Sequence, residues 1–313
     1  MAALTDPQRS PAAESPLAPK RRRLLRERLI EGMLLSSALL SVLTTIGIVA
    51  ILGYESLGFF AEVSPFEFLF GSEWRPLLEP RSFGVLPLLS GTLLIVVGSS
   101  LIAVPLGLGS AIFLSEFASP RQRNILKPFL EVLAGIPTVV YGYFALMAVT
   151  PALQWLFPRT EVFNAASASI VVGIMIMPMI ASLCDDALRA VPDSLRYAAH
   201  ALGATPFEVS TRVVLPAALS GVFAAFVLAV SRAIGETMAV TLAAGATPKL
   251  GLDPLTSIQT MTAYIVQVSL GDAPSGTIEH KTLFAVGALL FVMTLIMNVT
   301  AQRIMKRFRE VYE

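Results

Sequence analysis

Two charged residues lie inside an apolar stretch in the last third of the sequence. Arg232 and Glu236 belong to SRAIGETMAV, which follows LSGVFAAFVLAV and precedes TLAAGA. A charge at the centre of a bilayer costs about 2.5–3.5 kcal/mol on insertion scales. On a continuous helix, residues four apart share a face, and the small residue Gly235 leaves space beside them.

Two explanations fit this pair of charges. The first is an ion pair that only fixes the packing of helices. The second is a polar patch on a water-filled path for a tetrahedral oxyanion, because the planar guanidinium fork matches the geometry of such an anion. In that case Glu236 keeps Arg232 from holding the anion too tightly, and it accepts a hydrogen bond from a protonated anion. We therefore predict a substrate pathway at Arg232, Gly235 and Glu236.

The remaining reactive side chains are few and scattered. The chain has one cysteine, Cys184, and two histidines, His200 and His280. Neither metal-ligand spacing nor a nucleophile motif is present. We expect no catalytic residue, no metal and no cofactor, and a net charge of +1 gives no indication of nucleic-acid binding.

The composition predicts the elements that carry these charges. Apolar residues make up 55% of the chain and charged residues 14%, against about 25% charged in soluble domains. The mean hydropathy is +0.71. About 20 apolar residues span a bilayer as a helix, and six stretches qualify: 33–53, 85–114, 129–149, 165–184, 217–243 and 282–301. The predicted fold is an all-α integral membrane protein with six transmembrane helices. Three prolines are expected to interrupt these helices: Pro105, Pro137 and Pro178.

The basic residues predict the orientation of the helices. Seventeen Lys and Arg lie in the segments 1–32, 115–128, 185–216 and 302–313, and five lie in the loops 54–84, 150–164 and 244–281. Both termini are therefore expected in the cytoplasm, and the cluster KRRRLLRER is expected to bind anionic lipid headgroups. The predicted organisation is a basic cytoplasmic tail over 1–32, a first transmembrane helix and periplasmic loop over 33–84, a transmembrane domain over 85–303, and a cytoplasmic tail over 304–313.

The cytoplasmic loop before the fifth predicted span contains two short helices, at about 192–215. Gly203 is placed to end the first helix in a left-handed conformation. Thr205 and Glu208 fit a capping box, with proline at the first helical position between them. Pro216 marks the junction with the membrane helix. Such an angular element either inserts into a groove of a soluble partner or packs on its own membrane domain.

This loop resembles the EAA loop of ABC-importer permeases, which docks onto an ATP-binding subunit. The pattern places Glu-Ala-Ala three residues before a glycine and a Leu-Pro pair after a fixed spacing. Here Tyr197, Ala198 and Ala199 precede Gly203, and Leu215-Pro216 follow at that spacing. Tyr197 replaces the usual glutamate, so a salt bridge from that position is not expected. The resemblance implies that seven residues of this loop couple the chain to the ATPase: Ala198, Ala199, Gly203, Thr205, Glu208, Leu215 and Pro216.

Two further motifs resemble the phosphate-importer permeases of the Pst system. They are LAGIPTVVYGYFAL at 133–146 and SRAIGETMAV at 231–240. GETMAV is more similar to the PstC-type subunit than to the PstA-type partner, and the resemblance covers about residues 85–303. It implies a type I ABC-importer fold, and it implies functional roles for Arg232 and Glu236.

The resemblance also implies the partners and the location of the chain. They are a homologous PstA-type permease, two ATP-binding subunits, an extracytoplasmic phosphate-binding protein, phosphate itself and membrane lipid, in the bacterial inner membrane. ATP hydrolysis is expected on a separate subunit. The alternatives are a permease for sulfate or molybdate, a secondary transporter or channel without an ATPase, and a membrane enzyme.

Overall fold

The chain forms a helical protein in the computed structural model, which describes residues 21–274 and 276–308. It divides into two units, residues 1–51 and residues 52–313. Helix α1 (Arg21–Phe60) is long enough to span a membrane. All the site residues predicted above lie in the second unit. Residues 1–20 of the predicted basic tail lie outside the described residues.

A small folded layer occupies the loop that was predicted to be periplasmic. Helix α2 (Pro65–Phe70) is followed by strands β1 (Trp74–Arg75) and β2 (Ser82–Phe83), which pair antiparallel with Trp74 opposite Phe83. Their aromatic rings pack with Phe59 and Tyr264, and the rings of Trp74 and Tyr264 meet edge to face at 4.9 Å. Such pairs prefer this geometry because the ring edge is positive and the face negative.

The first span of the transmembrane domain runs further than predicted, and the next begins later. Helix α3 (Leu86–Ile112) continues into a π-helical turn at Phe113–Phe117. Helix α4 (Pro120–Ala134) is a separate amphipathic helix, and none of its residues is buried. The following span consists of α5 (Thr138–Phe144), a π-helical turn at Ala145–Val149 and α6 (Thr150–Leu156).

The predicted third span at 129–149 is therefore wrong at both ends. Pro137 lies in the gap between α4 and α5 as the N-cap of α5. The residue before a proline is pushed out of the helical conformation. Residues 129–134 consequently belong to α4 and not to the span.

Helix α7 (Ala165–Arg189) is the most buried span and packs along α3. Small residues allow the two backbones to approach closely. A Cβ atom added at Gly98 would lie 2.6 Å from Ser169 Oγ, and one at Gly107 would lie 2.7 Å from Ile180 Cγ2. Pro105 and Pro178 lie inside α3 and α7, which continue through them. The prediction that they interrupt these helices was wrong, because a proline removes one helical hydrogen bond and no water competes for the rest.

The chain then leaves the membrane domain and turns back. Helices α8 (Asp193–Ala201) and α9 (Pro206–Val209) form the predicted loop. A π-helical turn at Ser210–Val214 and the short helix α10 (Leu215–Ala217) follow. Helix α11 (Leu219–Ile234) begins after a bend of 73°.

The fifth predicted span, 217–243, is broken. Helix α11 ends at Ile234, and helix α12 (Met238–Ala244) begins after the gap 235–237. Helix α12 packs on α5 and α7, and Gly142 on α5 allows the close approach, since its added Cβ would lie 2.9 Å from Leu242 Cβ. The prediction of one continuous helix was wrong, because the backbone at the gap has other hydrogen-bond partners, described below.

The last two helices complete the domain. Helix α13 (Met261–Gln267) continues into a π-helical turn at Val268–Asp272, and helix α14 (Ile278–Phe308) is a long span. Within the described residues, five helices can cross a membrane, and the bent pair of Pro206–Ala217 and Leu219–Ile234 brings the number to six.

Ion pairs join the loops in the two groups that the basic residues predicted. At one end Arg123 pairs with Asp185, and Arg196 pairs with Glu116. At the other end Arg81 pairs with Glu279, and the loops at 150–164 and 244–281 are joined by a hydrogen bond from Ser257 N to Glu161. The grouping of these five loops is confirmed, and that of the segments 1–32 and 302–313 stays a prediction. The assignment of the first group to the cytoplasm stays a prediction.

Candidate functional site

Arg232 lies in the last turn of α11 with its side chain exposed. It lines a cavity of about 350 Å³ that extends along α7 from Met175, near the middle of that helix, to Asp185, near its end. The sequence placed Arg232 near the middle of one long helix. The structure corrects this to a helix end, and the guanidinium is therefore placed where the helical backbone stops.

Glu236 lies in the gap and is buried, with 6% of its surface exposed. Its carboxylate accepts a hydrogen bond from the Ala239 amide at 3.2 Å, so it caps the first turn of α12. Its backbone carbonyl accepts a hydrogen bond from Thr262 Oγ1 at 2.8 Å. These two bonds stabilise the break, because they satisfy backbone groups that a continuous helix would otherwise pair.

The predicted shared face of Arg232 and Glu236 does not exist. That geometry needs a continuous helix from 232 to 236, and the helix ends at Ile234. Among the side chains that the structure describes, the two residues form no ion pair with each other. The explanation of the two charges as a pair that holds helices together is therefore not supported by the geometry.

Gly235 lies between the two charged residues and is exposed. Its φ of −84° is open to any residue, and an added Cβ would meet its nearest neighbour, the Ser231 carbonyl oxygen, at 3.7 Å. The expected open space beside Arg232 is present.

Sequence reasoning missed the polar residues that reach the gap from the other end of the domain. Thr262 bonds Glu236, and Thr260 Oγ1 lies 3.1 Å from Thr262 Oγ1. Gln259 is buried and donates to Gln267. The run SIQTMT at 257–262, which leads into the first turn of α13, was the available signal.

It also missed a charge cluster beside the cavity. Asp185 on α7 is fully buried, and Arg123 on α4 donates to both of its carboxylate oxygens, at 3.0 and 2.6 Å. Lys127, one turn further along α4, lies 3.5 Å from Asp185 and 3.2 Å from Asp186. The available signal was the pair Asp185 and Asp186 at the end of an apolar helix. Carboxylates buried there need nearby cations to offset the cost of removing their charge from water.

The loop between α7 and α11 has the predicted local structure. Gly203 has a left-handed backbone, φ +85°, at the corner between α8 and α9. Thr205 accepts from the Glu208 amide, and Glu208 accepts from the Thr205 amide, so the capping box is confirmed. The backbone amide and the hydroxyl of Thr205 donate to Glu208 and lower the pKa of its carboxyl. Its contribution to stability is therefore complete above the unfolded-state pKa and is lost only as pH falls through the lowered value.

The same loop presents an apolar tip and a buried base. The exposed residues of the tip are Tyr197, Leu202 and Phe207, of which Leu202 is 89% exposed. Ala198 and Pro216 are also exposed, whereas Ala199 and Leu215 are partly buried against the core. The exposed apolar tip fits contact with another protein.

Arg196 attaches α8 to the membrane helices. It donates to both carboxylate oxygens of Glu116, at 3.3 and 3.1 Å. It also donates to the carbonyls of Leu188 and Val191 at the end of α7, at 2.9 and 2.6 Å. Arg196 was not singled out from the sequence, although it lies directly before the Tyr197-Ala198-Ala199 motif.

The spans, the broken fifth helix and the projecting loop define a multi-pass membrane permease. The family described as "Binding-protein-dependent transport system inner membrane component" matches residues 103–310. The chain belongs to this family.

Curated relatives agree with this assignment. The chain is 36% identical over 259 residues to the probable ABC transporter permease protein YqgH of Bacillus subtilis, covering 82% of this chain and 84% of that protein. It is 33% identical over 264 residues to the phosphate transport system permease protein PstC of Mesorhizobium japonicum, covering 77% and 79%. It is 30% identical over 313 residues to the PstC protein of Haemophilus influenzae, covering 93% and 98%.

Solved structures show the same fold. A bacterial alginate ABC transporter in complex with an alginate pentasaccharide-bound periplasmic protein aligns with a TM-score of 0.65 and 17% identity, covering 93% of this chain and 99% of that one. The inward-facing MetNI methionine ABC transporter aligns with a TM-score of 0.55 and 17% identity, covering 72% and 95%. The predicted type I ABC-importer fold and the resemblance to Pst permeases are confirmed.

Proposed function

We propose that this chain is a transmembrane subunit of an ATP-driven importer of inorganic phosphate in the bacterial inner membrane, and that it forms half of the pathway. The observation that carries the proposal is the position of Arg232. Its guanidinium lines a cavity at the end of a broken helix, in a chain whose relatives include proteins named as phosphate transport permeases. Planar guanidinium donates two parallel bonds to phosphate oxygens.

The broken helix supports a path at this place. Irregular backbone at membrane depth is tolerated only where protein buries it or where it lines a water-filled cavity. Gly235 and Arg232 are exposed at the gap, whereas Glu236 is buried. Arg232 and Gly235 therefore line the path in this proposal, and Glu236 holds the gap open from behind.

The partners follow from the two ends of the molecule. A homologous PstA-type permease supplies the other half of the path. Two ATP-binding subunits bind the exposed tip of the loop around Gly203 and provide the hydrolysis. An extracytoplasmic phosphate-binding protein delivers the anion to the end that carries strands β1 and β2.

Replacing Arg232 tests the proposal. Arg232→Leu should lower phosphate uptake about a hundredfold, because hydrogen bonds to a charged group are worth about 1.5–3 kcal/mol. Arg232→Lys should recover little, since the ammonium lacks the planar fork. The measurement is ATP-driven uptake of labelled phosphate by the reconstituted complex, normalised to assembled complex, with sulfate and molybdate compared.

The matched control is Arg121→Leu, which removes an exposed arginine of α4 and should leave uptake unchanged. Uptake near the wild-type rate in Arg232→Leu would remove Arg232 from the path. Transport of sulfate or molybdate in preference to phosphate by the wild-type complex would contradict the substrate.

A further inference from the structure

Two cations line the cavity at the inner end of the domain. Arg232 reaches it from α11 and Lys127 from α4. At about 350 Å³ the cavity has room for an anion with several waters, since a water molecule occupies about 30 Å³ of liquid. It lies beside the loops that carry most of the basic residues, and the predicted orientation of these loops places it on the cytoplasmic side.

Lys127 is held more loosely than its neighbour Arg123. The buried Asp185 carboxylate already receives two bonds from Arg123, at 3.0 and 2.6 Å. Lys127 adds only a 3.5 Å contact to Asp185, and its 3.2 Å contact is to Asp186, whose side chain is 62% exposed. The charge of Asp185 is thus offset without Lys127, and the ammonium can exchange a weak partner for an anion.

We propose that Lys127 is a second anion-binding residue, which receives the tetrahedral oxyanion from Arg232 before its release into the cytoplasm. The inference rests on the proposed function and adds a site to it. Because two cations face one cavity, the negative charge of the anion stays next to a positive charge while the anion moves from Arg232 to Lys127. Glu131 and Asp185 line the same cavity, and their negative charge shortens the stay of the anion.

An anion site that opens to the cytoplasmic side can bind phosphate from that side of the membrane. The experiment uses proteoliposomes that carry the whole complex, preloaded with increasing inorganic phosphate, and measures initial uptake of labelled phosphate. In the wild type, internal phosphate should compete for the cavity and slow uptake. Lys127→Gln should need about tenfold more internal phosphate for the same inhibition, since one bond to a charged group is lost. Its half-saturation for external phosphate should not change.

Two further variants separate anion binding from a purely structural role. Arg121→Gln removes an exposed cation of the same helix that does not line the cavity, and it should behave as the wild type. Asp186→Asn should free Lys127 and lower the inhibitory concentration of internal phosphate. If Lys127 only neutralises Asp186, Lys127→Gln and Asp186→Asn should shift the inhibitory concentration of internal phosphate in the same direction.

The outcomes distinguish the two proposals. Absence of ATP-driven phosphate uptake by the wild-type complex would overturn the proposed function and this inference with it. Normal uptake without inhibition by internal phosphate, or with equal inhibition in wild type and Lys127→Gln, would overturn the Lys127 site alone. If the Lys127→Gln complex does not assemble, Asp186→Asn decides the question. A lower inhibitory concentration of internal phosphate in that variant supports the Lys127 site, and an unchanged or higher one overturns it.

Discussion

Glu236 shows how a single residue can have a role different from that of its charged neighbour. Its carboxylate bonds the Ala239 amide and its carbonyl is bonded by Thr262. The first contact is made to the start of α12 and the second joins the gap to α13, whereas Arg232 belongs to the end of α11. The two charges are close in sequence but act on different helix ends.

This separation predicts additive effects on stability. Glu236→Ala should destabilise the complex by about 0.5–1.5 kcal/mol, the net value of one intramolecular hydrogen bond. Adding Arg232→Leu should change stability by its own amount, within about 0.5 kcal/mol of additivity, because the residues share no partner. The measurement is thermal unfolding of the purified complex for both single variants and the double. A double variant more stable than the sum of the two single changes by more than about 0.5 kcal/mol would show that the two charges pair after all.

At the scale of elements, α8 is joined to the membrane helices by Arg196. That side chain is only 16% exposed, and it connects α8 to Glu116 in the π-helical turn after α3 and to the carbonyls of Leu188 and Val191 at and just beyond the end of α7. In the proposed function, a movement imposed on the loop by an ATP-binding subunit is passed through Arg196 to the two helices that form the core pair.

Arg196→Met should uncouple hydrolysis from transport. Methionine retains the helix propensity of α8 but removes the bonds to Glu116 and α7. We expect the ATPase to copurify and phosphate uptake per ATP hydrolysed to fall about tenfold, with Glu116→Gln showing the same direction. Arg212→Met is the control, because Arg212 is 78% exposed and has only a 3.7 Å contact to Glu208. An unchanged ratio of phosphate to ATP in Arg196→Met would contradict the mechanical role.

The elements that the sequence predicted well are those fixed by local chemistry. The capping box at Thr205 and Glu208 and the left-handed Gly203 depend on residues at most three positions apart. The gap at 235–237 depends on Thr262, which lies 26 residues later, and no local pattern contains that contact. Residues 129–134 of α4 were assigned to a membrane span because they run into the apolar residues of α5, and periodicity alone does not show where an amphipathic helix ends.

At the scale of the whole molecule, the ion pairs group the loops but do not say which group faces the cytoplasm. The excess of basic residues near Arg123 and Thr205 predicts that they face inside. Reporter fusions at these two positions should show fluorescence from a cytoplasmic reporter, and fusions at Arg81 and Gly271 should show activity of a periplasmic enzyme. A periplasmic signal from Thr205 would overturn the orientation and the docking of an ATPase to this loop.

The break in the fifth span has a consequence for the cell as well as for the anion. Helix α11 covers about 24 Å at 1.5 Å per residue, so the gap that follows lies within the thickness of the membrane. The exposed guanidinium of Arg232 beside the gap attracts water, and a continuous file of water from one side to the other would let protons flow down their gradient. The complex must therefore keep one end sealed at every stage, so that each anion is imported without draining the proton-motive force that the cell maintains.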